Sequence, residues 1–119
     1  MNSNYDRRKL LVTEIVENPL PDSSVLDELE KFGWDCEHEL VIITKQHIYA
    51  VLYAFAKKLL TAQQVIDWAN RIEGRDDIGY ECGGEDVVNE AIFWLANPYL
   101  NYPIYEKIQE RIEALFDKP

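Results

Sequence analysis

The chain has 119 residues, 47% hydrophobic and 12% aromatic, enough for one domain with its own core and too few for two. That composition excludes intrinsic disorder, and every apolar run is broken by charge before the roughly 18 residues a membrane span requires. Twelve basic against 22 acidic side chains leave a net charge of −10, which repels nucleic-acid phosphates and anionic bilayers.

The first residues, Met1 to Asp6, lack the apolar core of a secretory signal, so a cytoplasmic location with reduced thiols is expected. Cys36 and Cys82, 46 positions apart, form neither a disulfide framework nor a zinc-ligand pattern. Helical periodicity dominates from there on. A first helix is predicted over about 5–17, with Leu11 and Ile15 inward, stopped by Pro19 and Pro21. A second starts at Asp22-Ser23-Ser24 and ends at Gly33, with Val25, Leu26, Leu29 and Phe32 on one stripe.

Between Trp34 and Ile43 the period changes to two. Trp34, Cys36, His38, Leu40 and Ile42 alternate with Asp35, Glu37 and Glu39, which predicts an extended segment. One strand cannot make a sheet, so this segment lies along the helices or pairs with a strand not evident in the sequence. Thr44 then caps a helix over about 45–60. Its two apolar stripes (Ile48, Val51, Leu52, Phe55 and Leu59; Tyr49, Tyr53, Ala56 and Leu60) predict a central helix covered on both sides.

Thr61 and Gln64 match a capping box, followed by Val65, Ile66, Trp68, Ala69 and Ile72 at helical spacing and by Gly74 as a left-handed terminator. A loop with Asp76, Asp77, Gly79, Cys82, Gly83 and Gly84 leads to the stripe Val88, Ala91, Ile92 and Leu95, stopped by Asn97-Pro98. Pro103 suits the first position of a last helix carrying Ile104, Ile108, Ile112, Leu115 and Phe116. The expected fold is therefore mainly α: one helical domain over 1–119, of about five helices, with at most a short extended segment near 38–43.

The excess charge is concentrated. Residues 14–39 hold nine acids against Lys31, and residues 73–90 hold seven acids against Arg75, while residues 40–72 have net +3. Packed like charge costs stability through self-repulsion, and its usual compensation is long-range attraction of a partner of opposite sign.

Catalytic and metal patterns are poorly matched. Cys36, Glu37, His38 and Glu39 alternate in facing and cannot converge as ligands in an extended chain; the expected arrangement is a buried Cys36 beside a hydrogen-bonded His38. The carboxylate-rich loop Glu73–Asp86 lacks calcium-loop spacing, with Ile78 where a polar ligand belongs. His47 falls in a first helical turn, where a surface role is expected, and no nucleophile–base motif or phosphate-binding glycine pattern occurs. The expectation is a non-enzyme without catalytic residues, metal or cofactor. Tyr80 in the acidic loop, and Tyr99, Tyr102 and Tyr105 around Pro98 and Pro103, supply aromatic contact area.

The stretch Leu60-Thr61, Trp68-Ala69-Asn70, Ile72-Glu73, Arg75 and Asp77-Ile78, with Leu95-Ala96-Asn97-Pro98, resembles the small acidic immunity proteins encoded beside bacterial polymorphic toxins, including those of contact-dependent growth inhibition. The resemblance covers roughly residues 40–116. It implies a cytoplasmic protein that binds and blocks the C-terminal domain of a toxin, often a nuclease.

The acidic segments supply a physical route to that role, because a nuclease is basic where it holds phosphates. Asp76, Asp77, Tyr80, Glu81, Glu85 and Asp86 are the first expected contacts, and Asp35, Glu37 and Glu39 the second. An adaptor or antitoxin-like regulator of another partner is the alternative class, and a small enzyme with a carboxylate site the third.

Overall fold

Six helices and two short strands follow one another in the computed structural model, which describes residues 3–101, 103–105 and 107–117, without the side chains of residues 3 and 4. They are α1 (Ser3–Glu17), α2 (Ser23–Glu30), β1 (Val41–Ile43), α3 (Lys45–Ala56), α4 (Ala62–Ile72), β2 (Ile78–Tyr80), α5 (Glu85–Ala96) and α6 (Ile108–Phe116). The fold is mainly helical, as expected, with one helix more than the five anticipated. The radius of gyration, 14.2 Å, is close to the ~13.5 Å expected for a single domain of this length.

Local chemistry sets the helix ends. The Thr61 hydroxyl accepts from the Gln64 N–H while the Gln64 side chain accepts from the Thr61 N–H, the reciprocal capping box read in the sequence. Thr44 forms the same device with a less usual partner: the His47 Nδ1 accepts the Thr44 N–H at 3.0 Å. His47 is thus a half-buried cap and not a free surface residue. Gly33 and Gly74 end their turns at φ 72° and 81°.

The end of α3 departs from expectation. Lys58 takes φ 65°, its N–H reaching the Phe55 carbonyl while the Leu59 N–H reaches that of Ala54. This pair of bonds is a Schellman terminator with lysine where glycine is usual, so the helix stops at Ala56 and not near residue 60. Leu59 (69% exposed), Tyr53 (59%) and Ala56 consequently face solvent. The helix covered by neighbours is not α3. The chief helix pair is α4 with α5, through Val65, Trp68, Ala69 and Ile72 on one side and Val88, Ala91, Ile92 and Leu95 on the other. Trp68 is wholly buried, and its indole N–H donates to the Val16 carbonyl at 3.0 Å, joining α4 to α1.

β1 finds its partner inside the glycine-rich acidic loop, where no strand was expected. It pairs in parallel with β2, Val41 beside Ile78, Ile42 beside Gly79 and Ile43 beside Tyr80. Parallel strands need a long crossover, supplied here by α3 and α4. Ile43 and Ile78 point inward, while Glu39 and the half-exposed Ile42 lie over Gly79. A Cβ at Gly79 would come within 2.9 Å of the Ile42 Cδ1 and overlap the Glu39 carboxylate, so any side chain there would push the ends of these two exposed residues aside.

Residues 34–40 are not strand. Their alternation does not bury Cys36 beside a bonded His38: Cys36 is half-buried, and the exposed His38 meets Tyr5 edge-on at 5.5 Å. Pro103 likewise lies outside the last helix, which begins at Ile108.

Candidate functional site

Parallel pairing decides where the acidic segments meet. Residues 35–39 lead into β1 and residues 73–77 into β2, so both acidic approaches reach the same end of the sheet. The Asp76 N–H donates to the Trp34 carbonyl at 3.3 Å, and the Leu40 N–H to the Asp77 carbonyl at 2.8 Å, lashing the two approaches together. Asp35, Glu37 and Asp76, all exposed, thereby line one open cleft of about 410 Å³, with Tyr5, Cys36 and Arg8 at its wall. Glu39 lies just beyond, exposed and folded over Gly79.

Arg8 offsets this cleft only in part: it is buried and shares the Asp77 carboxylate with Arg75, leaving one net positive charge behind three exposed carboxylates. The Arg8 Nε donates to Asp77 Oδ2 at 2.7 Å, and its remaining donors reach the carbonyls of Phe32, Gly33 and Asp35 at 3.0–3.4 Å. Arg75 grips the same carboxylate through Nε and Nη2, both at 2.9 Å. Asp77 is 0% exposed. Burial alone would raise its carboxyl pKa, but the hydrogen bonds and charges of Arg75 and Arg8 outweigh it and hold the group below the ordinary carboxylate range.

Asp77 is therefore corrected from an expected surface contact to a buried pin between α1, the turn after α2 and the start of β2. The signal for it was Arg75, the single base among the seven acids of residues 73–90.

The other expected contacts collect at the opposite end of the strands, three residues or about 10 Å away. Glu85 and Asp86 are exposed beside a second opening of about 490 Å³, lined also by Lys45 and Phe116. The Glu85 carboxylate accepts the Gly83 N–H at 2.8 Å. Glu81 is half-buried, and its carboxylate accepts the Lys45 N–H at 2.8 Å, placing negative charge on the N-terminus of α3. Lys45 also extends over the Phe116 ring, 5.5 Å from its centre, so this end is mixed in charge.

Tyr80 packs against the core; burial pushes its phenol pKa up and the nearby Glu73 charge adds to that. Tyr99 is fully exposed, Tyr105 is 41% exposed on a different groove, and Tyr102 falls outside the described residues.

One aromatic residue not counted as a contact in the sequence belongs to the acidic cleft. Tyr5 forms its wall. Trp34, 48% exposed with the Arg75 guanidinium 5.1 Å from its ring centre, precedes Asp35 in the chain but lines a separate opening with Leu26, Leu29 and Arg71. An exposed indole against a buried cation has the chemistry of an interface anchor. In the sequence Trp34 read only as one position of an alternation.

Among the described residues, no group of three or more His, Cys, Asp or Glu side chains is placed to hold a metal ion. No helix among them is long and apolar enough to cross a membrane. Searches against family models, curated proteins and solved structures found no match.

Proposed function

We propose that the protein is an immunity protein: a non-enzymatic inhibitor that binds a basic toxin domain, such as a nuclease, through the acidic cleft at the leading end of β1 and β2. The observation that carries this reading is the convergence of Asp35, Glu37 and Asp76 around one opening, with no exposed base among its lining residues and with the exposed Trp34 preceding Asp35 in the chain. Three carboxylates fixed by a folded frame attract a cationic surface from a distance, and an aromatic anchor slows its escape. Glu85 and Asp86 form the secondary contact, weaker because Lys45 stands among them.

The test pairs the protein with the toxin domain encoded beside it, reading growth rescue and binding kinetics at two salt concentrations. The triple variant Asp35→Asn, Glu37→Gln, Asp76→Asn should associate about tenfold more slowly and lose most of its salt dependence. Trp34→Ala should instead raise the dissociation rate. Unchanged kinetics in both variants would move the interface elsewhere. A wild-type protein that binds no neighbouring toxin domain would favour an adaptor or regulator with another basic partner.

A further inference from the structure

A second surface differs from the acidic cleft in both polarity and sign. The C-terminal turn of α3, the loop that caps α4, and the start of α6 with the residues before it enclose a groove of about 620 Å³, lined by Leu52, Phe55, Leu60, Ile104 and Ile108, with Tyr105 partly exposed in its wall. Leu59 and Tyr53, both well exposed, adjoin it along the chain.

The electrostatics of this groove oppose those of the whole molecule. Counted along the sequence within two positions of its lining, Glu106 and Glu110 stand against Lys57, Lys58, Lys107 and Arg111, a net +2 where the whole chain has −10. Two helices also begin here. Thr61 caps α4 at the rim, and α6 starts from Lys107, whose side chain has no acceptor to offer the free N–H groups of the first turn. The opposing carbonyl end of α3 is muted, because Ala54 and Phe55 give their oxygens to the Schellman bonds. Lys58 itself stands at φ 65° on the rim, where glycine would be the unstrained choice. A cation held in a disfavoured conformation beside exposed apolar side chains points to a surface selected for contact.

We propose that this groove docks a segment of a partner protein that carries large apolar side chains flanked by carboxylates. The apolar residues fill the space between Phe55, Leu60 and Ile108, and the carboxylates meet Lys57, Lys58 and the start of α6. This inference does not rest on the immunity reading, since it uses other elements and a partner of opposite charge.

A displayed library of random twelve-residue peptides, selected on the full chain, reads the chemistry of the occupant directly. The expected consensus combines two or more Leu, Phe or Trp with Asp or Glu. Synthetic peptides of that consensus should bind about tenfold more weakly to Lys57→Gln/Lys58→Gln and to Tyr105→Ser, and the lysine pair should account for most of the salt dependence. Thermal melts of both variants verify that the fold is intact. A basic consensus, or peptides that bind Tyr105→Ser as tightly as the wild type, would overturn the proposal. So would a dimer in sedimentation that Tyr105→Ser abolishes, which would give the groove to a second copy of this chain.

Discussion

Arg8 and Asp77, 69 positions apart in sequence, meet in a buried hydrogen bond of 2.7 Å. With Arg75 on its other side, one carboxylate serves two guanidiniums, and the surplus positive charge is satisfied by backbone carbonyls. Breaking a buried pair from one side strands the other charge, which costs about 3–5 kcal/mol. Asp77→Asn should therefore lower the unfolding free energy by about that amount, while its exposed neighbour changed in Asp76→Asn should stay within about 0.5 kcal/mol of wild type. Urea unfolding of the two variants decides. Equal effects would mean that Asp77 is not the pin.

Acid should reach stability through the same group. Because the folded Asp77 titrates below its ordinary value, the unfolded chain takes up the proton more readily. Its contribution is complete above about pH 4 and drains away as pH falls through the folded value. The stability gap between wild type and Asp77→Asn should therefore be constant from neutral pH down to about 4, then narrow. A gap that widens below pH 4 would contradict the assigned direction.

Trp68 combines burial with a polar tether. Trp68→Ala should cost about 3–5 kcal/mol, the usual range for removing a core aromatic. Trp68→Phe keeps much of the ring but leaves the buried Val16 carbonyl without its 3.0 Å donor, for a smaller loss of about 1–3 kcal/mol. Denaturation midpoints of the two variants should fall in that order.

Lys58 offers the opposite sign. A non-glycine residue in the left-handed region is disfavoured by about 1–2 kcal/mol, partly offset by the greater freedom glycine has when unfolded. Lys58→Gly should raise the unfolding free energy by up to about 1 kcal/mol, whereas Lys58→Ala should give no gain. A loss of stability in Lys58→Gly would show that the side chain itself, and not the turn, holds this end of α3.

The two free cysteines should differ in reactivity. Cys82 is exposed and Cys36 half-buried at the wall of the acidic cleft. A thiol reagent should label Cys82 faster in the native protein and both equally in denaturant. Slower labelling of Cys82 would contradict its exposure.

Helix positions and caps were readable because their signals are local: Thr61 with Gln64, Gly74, and the stripe through Trp68 and Ile72 all lie within a few residues of what they organise. β2 was not readable. Ile78-Gly79-Tyr80 is too short to show alternation, and its partner lies in a segment two helices away. The same alternation that correctly marked β1 overextended it back to Trp34, because the Trp34 and Asp35 carbonyls are held by Asp76 and by Arg8 of α1 and not by a ladder. The end of α3 was missed because lysine carries no terminator signal. Among the acids, Asp77 differed from Asp35 and Glu37 only in the nearby Arg75, which Asp76 shares; its pairing with Arg8, 69 positions away, sorts it to the interior and lay beyond local reading.

The Arg8–Asp77 bond also sets an order of events during synthesis. At roughly 5–20 residues per second, Asp77 is added about 3–14 s after Arg8. Trp68, which α1 must cover, is also made well after α1. Through that interval Arg8 lacks its counter-ion, and until α4 is made α1 has only the earlier α2 and β1 to lie against. The α1 face that ends against Trp68 therefore closes only after α4 has been made, and Arg8 meets its carboxylate later still.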